Sequence, residues 1–259
     1  MSDSEKSLIL KSLRLDGVTE LYLPELKKQQ TTRSQTKMAV PNPNTTPEKS
    51  TTLDKRPVSQ VLPKTQENLS SRDKMIQLRK EALACTRCNE LCQTRKKVVF
   101  GSGTVDTDLV FIGEAPGRDE DEQGLPFVGA AGQLLTKIIE AIGYTRNDVF
   151  ICNVLKCRPP ANRTPKPNEI INCQGYLREQ INIIKPKMIC CLGNFAAQTL
   201  LETQSPMSEL RNSFHQYEGI TVACTYHPAY LLRNPADKKK VWEDMQRMKK
   251  ELETLSHNA

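Results

Sequence analysis

Nine cysteines stand among the 259 residues, and four of them have spacings that suit ligand chemistry. Cys85 and Cys88 form a C-x-x-C; Cys157 and Cys173 follow, 16 residues apart. Four thiolates of this kind can hold zinc or an iron–sulfur cluster, and spacing alone does not choose between them. A redox C-x-x-C is a third use, since a helix terminus lowers thiol pKa. Cys92 makes a C-x-x-x-C with Cys88 and is read as a bystander; Cys152, Cys190, Cys191 and Cys224 lie in apolar runs and are read as core. An odd number of cysteines in a long chain argues against a secreted disulfide framework and for a reducing, intracellular compartment.

A second group of residues suits the handling of a planar, polar ligand. Glu114 lies in the turn Gly113-Glu114-Ala115-Pro116-Gly117, where glycines permit a close backbone approach. Phe127 is either a core plug or a stacking platform for a base. Asn153 interrupts an apolar run; it either ties a loop or reads a base edge with its acceptor and two donors. His227, one of three histidines, is either structural or a donor to a ligand oxygen that gains charge. Lys156, Arg158, Arg163 and Lys166 surround a Pro-rich loop, and Arg233 and Lys238, Lys239 and Lys240 follow His227. Both groups are read as cleft-side cations able to track phosphates. The acidic run at 118–122 reads as a solvated loop.

These residues need elements to position them. Periodicity predicts helices at 75–84, 167–184, 194–201 and 236–255, and one carrying Leu134, Leu135, Ile138, Ile139 and Ile142 that stops at Gly143. Apolar runs predict strands at 108–113, 148–155, 187–192 and 220–225. Alternating strands and helices imply a mostly parallel sheet covered on both faces, with ligands at the carboxyl ends of the strands. Glu114, Asn153 and His227 each fall at or just after such an end.

Composition sets the outer limits. Residues 1–72 hold 12 Lys+Arg and 8 Asp+Glu, so +4 of the net +7 sits there. The stretch 27–72 is rich in Thr, Ser, Gln, Pro and Lys and is read as a disordered linker. Residues 7–26 are more apolar: a weakly structured tail, or a docking element for a protein partner or for the body of the protein. Residues 73–259 form the ordered domain, and a monomer is expected. No apolar run reaches about 18 residues, so no membrane span is expected, and the first residues do not read as a secretory signal.

Taken together, the motifs resemble those of the family 4 uracil-DNA glycosylases, the iron–sulfur branch of their superfamily. The resemblance runs from about Cys85 to Leu252. It rests on GEAPG at 113–117, PFVGAAGQLL at 126–135, NVLKCRPPANR at 153–163, CLGNFAAQ at 191–198 and HPAYLLRNP at 227–235. It implies a three-layer α/β/α fold with a four-stranded, mainly parallel central sheet. It implies a 4Fe-4S cluster held by Cys85, Cys88, Cys157 and Cys173. It places Glu114 and Ala115 in a catalytic loop, Phe127 on the face of an extruded uracil, Asn153 on its edge and His227 beside its O2. Glu120 falls near uracil C5, where it could exclude the methyl group of thymine. Leu231, Leu232 and Arg233 match a loop that enters the DNA, and Arg158 and Arg163 fall on the DNA side. The implied activity is release of uracil from uracil-containing DNA by base flipping, leaving an abasic site. A broader glycosylase for deaminated bases and a catalytically silent, cluster-containing DNA-binding module are the alternatives.

Overall fold

The computed structural model describes residues 69–257. The readings for 1–68, the linker and the docking element among them, lie outside the described residues.

Ser70 opens the described chain as a helix cap: its hydroxyl accepts from the amide of Asp73 at 3.1 Å. Helix α1 (Ser71–Leu83) therefore starts ahead of the 75–84 predicted. After the C-x-x-C comes a short helix, α2 (Asn89–Thr94), then β1 (Ser102–Gly103) and β2 (Leu109–Gly113). The acidic run forms α3 (Arg118–Gln123), followed by α4 (Ala130–Ala141) and β3 (Phe150–Asn153). Helix α5 (Pro167–Ile184) begins with proline in its first turn, where the missing N–H costs nothing. Then come β4 (Met188–Leu192), α6 (Asn194–Leu201), α7 (Met207–Leu210), β5 (His215–Tyr217) and β6 (Ile220–Thr225). The chain closes with α8 (Pro228–Arg233) and α9 (Lys238–His257).

The sheet has six strands in the order β1-β3-β2-β4-β6-β5. The four predicted strands are its parallel centre. The expected four-stranded sheet is thus extended by β1 and β5, two short antiparallel edges. Side chains on the central strands alternate between two cores, as the two-residue period of a strand requires. Val110, Ile112, Ile189, Cys191 and Val222 face one core with Leu78 of α1 and Tyr176 and Ile181 of α5. Leu109, Phe111, Met188, Cys190 and Ala223 face the other with Leu135 and Ile139 of α4 and Met245 and Met248 of α9. That is the expected three-layer α/β/α arrangement. Cys152, Cys190, Cys191 and Cys224 are buried in it, as read.

One buried polar knot holds the end of β6 to α9. Asp244 accepts from Arg211 Nε at 3.0 Å and Nη2 at 2.7 Å, and from Thr225 Oγ1 at 2.7 Å. Burial pushes the Asp244 carboxyl up, against the pull of Arg211 and Thr225. Asp244→Ala would strand the Arg211 guanidinium, so the variant is expected to lose about 3–5 kcal/mol in urea unfolding. A loss below about 1 kcal/mol would mean that water reaches Arg211.

Candidate active site

A cleft of about 460 Å³ opens at the carboxyl ends of the parallel strands, where β2 has β3 on one side and β4 on the other. Such a reversal of strand order leaves a crevice between the following loops. Glu114, Ala115, Glu120, Phe127, Asn153, Arg163, His227 and Arg233 all line it. Residues from four separate motifs therefore meet in one cavity.

Asn153 closes the floor. It is 2% exposed, and its Oδ1 is a buried acceptor without a hydrogen-bond partner among the described residues. Native proteins seldom leave such an atom unpaired, and a ligand donor is a direct explanation. Gly113 makes room for the amide: a Cβ there would stand 2.4 Å from Asn153 Oδ1 and 2.6 Å from the Phe127 ring.

Phe127 serves both readings at once, since it belongs to the second core and also walls the cleft. Its backbone is left-handed, with φ at 53°, which is uncommon for a side chain of this size. Two contacts hold it there. Arg146 donates to the carbonyls of Pro126 at 2.8 Å and Phe127 at 3.2 Å. Gly132 lets the Phe127 carbonyl pass where a Cβ would lie 1.8 Å away.

His227 faces Phe127, with ring centroids 5.5 Å apart. It caps α8: Nδ1 accepts from the amide of Ala229 at 3.1 Å. Nδ1 is then the acceptor nitrogen, so the proton of the neutral ring sits on Nε2. Burial, with help from Arg233 and against Glu120, lowers the His227 pKa to about 4. The ring is neutral at physiological pH and keeps one donor. Burial alone raises Glu114, which is half-buried at the cleft wall.

The acidic run is not the solvated loop expected. Asp121 turns inward and accepts from the amides of Lys96 and Lys97. Glu120 accepts from Gly117 at 3.1 Å, Val128 at 2.8 Å and Gly129 at 3.0 Å, and so fastens the Glu114 turn to the Phe127 loop. The Gly117 amide is therefore engaged within the protein.

The cationic residues divide. Lys156, read as a phosphate contact, is 1% exposed and lies inside the protein, and that burial keeps it from DNA. Arg163 lines the cleft but pairs with Glu169 at 2.6 Å and Glu90 at 3.0 Å, while Lys166 also holds Glu90, at 2.6 Å. Arg158 donates to Asn162 Oδ1 at 2.7 Å. Arg233 is exposed at the rim. Leu231 corrects another expectation. It is 1% exposed and packs in the second core, so in this conformation it cannot enter DNA. Leu232, at 46%, is the exposed member of the pair.

Cys85, Cys88, Cys157 and Cys173 line a separate small cavity with Leu91, Arg95 and Leu155; Cys92 does not. Polar hydrogens are aimed at three of the sulfurs. Arg95 Nη1 donates to Cys157 Sγ at 2.9 Å, the Lys156 amide to Cys173 Sγ at 3.3 Å, and Asn172 Nδ2 to Cys88 Sγ at 3.5 Å. Such donors suit electron-rich, metal-bound sulfur. Among the described residues, no three side chains converge as they would on one ion. All four thiols line this one cavity, and four thiolates so gathered fit an iron–sulfur cluster or zinc. Arg95, Arg146 and Asn172 carry no local sequence signal, because each acts on a residue distant in the chain.

The family model "Uracil DNA glycosylase superfamily" matches residues 100–246, a span holding every residue that lines the cleft. The chain belongs to the uracil-DNA glycosylase superfamily. A protein of Archaeoglobus fulgidus called type-4 uracil-DNA glycosylase is 42% identical over 177 residues, covering 65% of this chain and 88% of the relative. A type-4 uracil-DNA glycosylase of Thermotoga maritima is 44% identical over 169 residues, 64% of this chain and 88% of its own. One of Sulfurisphaera tokodaii is 41% identical over 186 residues, 68% and 84%. Among the described residues, no helix is long and apolar enough to cross a membrane.

Proposed function

We propose that the chain hydrolyses the N-glycosidic bond of deoxyuridine in DNA, releasing uracil and leaving an abasic site. The observation that carries this reading is the buried Oδ1 of Asn153, unpartnered among the described residues, beside the Phe127 ring. Uracil presents an N3–H donor next to its O4 acceptor, and a carboxamide meets both, Oδ1 accepting and Nδ2 donating. Phe127 would cover the ring face. Thymine differs only by the C5 methyl, which the braced wall containing Glu120 would exclude.

The reacting bond lies inside the stack, so the nucleotide must be flipped, at a cost of a few kcal/mol. Leu232 and Arg233, both exposed, would hold the gap. Uracil leaves as an anion, and the fixed Nε2–H of His227 is a preorganised donor for the oxygen that gains charge. Glu114, a half-buried carboxylate of the cleft wall, would orient the attacking water. Leu232→Ala is expected to slow excision from duplex about tenfold and to leave single-stranded substrate nearly unchanged, because only the duplex needs a wedge. Equal effects on both substrates would remove the wedge role.

The four cysteines would hold a 4Fe-4S cluster. When bound, it would brace the Pro-rich loop and the C-x-x-C segment against α5; glycosidic hydrolysis is redox-neutral. Support comes from the four thiols that line one cavity and the N–H donors aimed at them. The functional test uses oligonucleotides bearing uracil, hypoxanthine or a thymine mismatch, cleaved with alkali at abasic sites. Strand scission confined to uracil is expected. Equal scission at hypoxanthine would establish the broader glycosylase, and none at any base the silent DNA-binding module.

A further inference from the structure

Lys156 is among the most deeply buried large side chains of the protein, and the chemistry above makes no use of it. Its Nζ donates back to the carbonyl of Asn153 at 2.7 Å and to Gln180 Oε1 at 2.6 Å. Gln180 is itself fixed, since its Nε2 donates to the Phe100 carbonyl at 2.9 Å. The main chain of Lys156 is equally engaged: its amide donates to Cys173 Sγ and its carbonyl accepts from Val99 at 2.8 Å. One residue therefore touches the thiol site with its backbone and the base-reading residue with its side chain. We propose that Lys156 is a positioning residue that sets the Asn153 carboxamide and transmits to it the state of the thiol site. The proposal deepens the uracil reading and rests on it.

The physical reason is short. The Asn153 carbonyl is buried, and a buried carbonyl without a donor turns toward another partner. A small tilt of that peptide, pivoting on the bond from the Val154 amide to the Gly113 carbonyl, carries the Asn153 Cα–Cβ bond with it and moves the carboxamide within the cleft. The segment 153–156 leaves little slack, because Val154 donates to Gly113 and Leu155 to Glu114. A displacement at Cys173 is passed to the Lys156 amide, and from there to the Nζ contact three residues back.

The test compares the full chain with Lys156→Met, which keeps the length and removes the donor, and with Lys156→Met/Gln180→Met, which removes both buried polar ends. In the single variant, amide hydrogen exchange is expected to quicken across residues 150–156. Its kcat on uracil-containing oligonucleotide is expected to fall about 100-fold, the loss typical of a small misplacement. Affinity for undamaged duplex and the visible absorbance of the purified protein should be unchanged. The double variant removes the stranded Gln180 Oε1 but takes the Gln180 donor from the Phe100 carbonyl, and its kcat should stay as low as that of the single variant; it also guards against a single variant that does not fold. Chelating iron from the wild-type chain should quicken exchange across the same segment.

A single variant with wild-type kcat and exchange would overturn the proposal. So would a double variant that regains kcat, since the loss in the single variant would then come from the stranded Gln180 and not from the Asn153 carbonyl. No change in exchange on iron removal would overturn the link to the thiols. If the wild-type chain releases no uracil, the functional reading fails instead, and the exchange data alone decide the role of Lys156.

Discussion

His227→Asn should lower the single-turnover rate of uracil release by about 100- to 1,000-fold, the usual loss when one donor to a developing oxyanion is removed. Asparagine is chosen because it can still cap α8, so a lost cap cannot account for the result. The size of the effect follows from preorganisation. The Ala229 amide occupies Nδ1, and burial keeps the ring neutral down to about pH 4, so Nε2 holds a proton aimed at the cleft. Excision by the wild-type chain should then show no inflection near pH 6.5. An acid limb should instead appear above the ordinary carboxylate range, where Glu114 titrates, and disappear in Glu114→Gln. Folding stability carries the same signature. The His227 pKa is depressed in the fold, so its contribution is complete above about pH 6.5 and is lost as pH falls toward 4. An unchanged rate in the asparagine variant would remove His227 from the leaving-group role.

Asn153→Ala should cut kcat/KM for uracil by about 100-fold or more, since a site built to hydrogen-bond its substrate loses strongly when that pair is missing. Binding to undamaged duplex should barely change, because the amide lies on the cleft floor and not on the rim. Stability should respond in an unusual way. Among the described residues Oδ1 has no partner to lose, and an unpaired buried acceptor costs about 1–3 kcal/mol. Asn153→Leu, which fills the space without the acceptor, should therefore unfold at the same or a higher denaturant concentration while remaining inactive. A steep loss of stability would show that the carboxamide serves the fold and not the base.

Much of this architecture can be read from the chain. Helix α5 begins at a proline and carries a regular apolar face, and the central strands are apolar runs too short for helices. The edges β1 and β5 are not legible, because two or three residues become a strand only through the partner they meet. Run 118–122 misleads by composition: Glu120 and Asp121 are acidic and yet face inward, paired with amides from distant loops. Lys156 and Leu231 mislead in opposite senses, a cation taken for surface and a hydrophobe taken for a wedge. Both are decided by neighbours far away in sequence, such as Gln180, and not by local pattern. Asn153 and His227 were visible because each sits at the end of an apolar run, where a parallel sheet exposes whatever follows.

The two cores give the cleft a mechanical character. Phe127 is rooted in the layer of α4 and α9, whereas Lys156 and the thiols beneath Asn153 belong to the side of α1 and α5. The cavity is thus a seam between two packed halves that share one sheet. Heat that loosens either half should blind the enzyme while the other is still folded, so inactivation should run ahead of unfolding. A base gripped between the walls acts in the reverse sense, as glue: saturating free uracil should narrow the gap between the two curves.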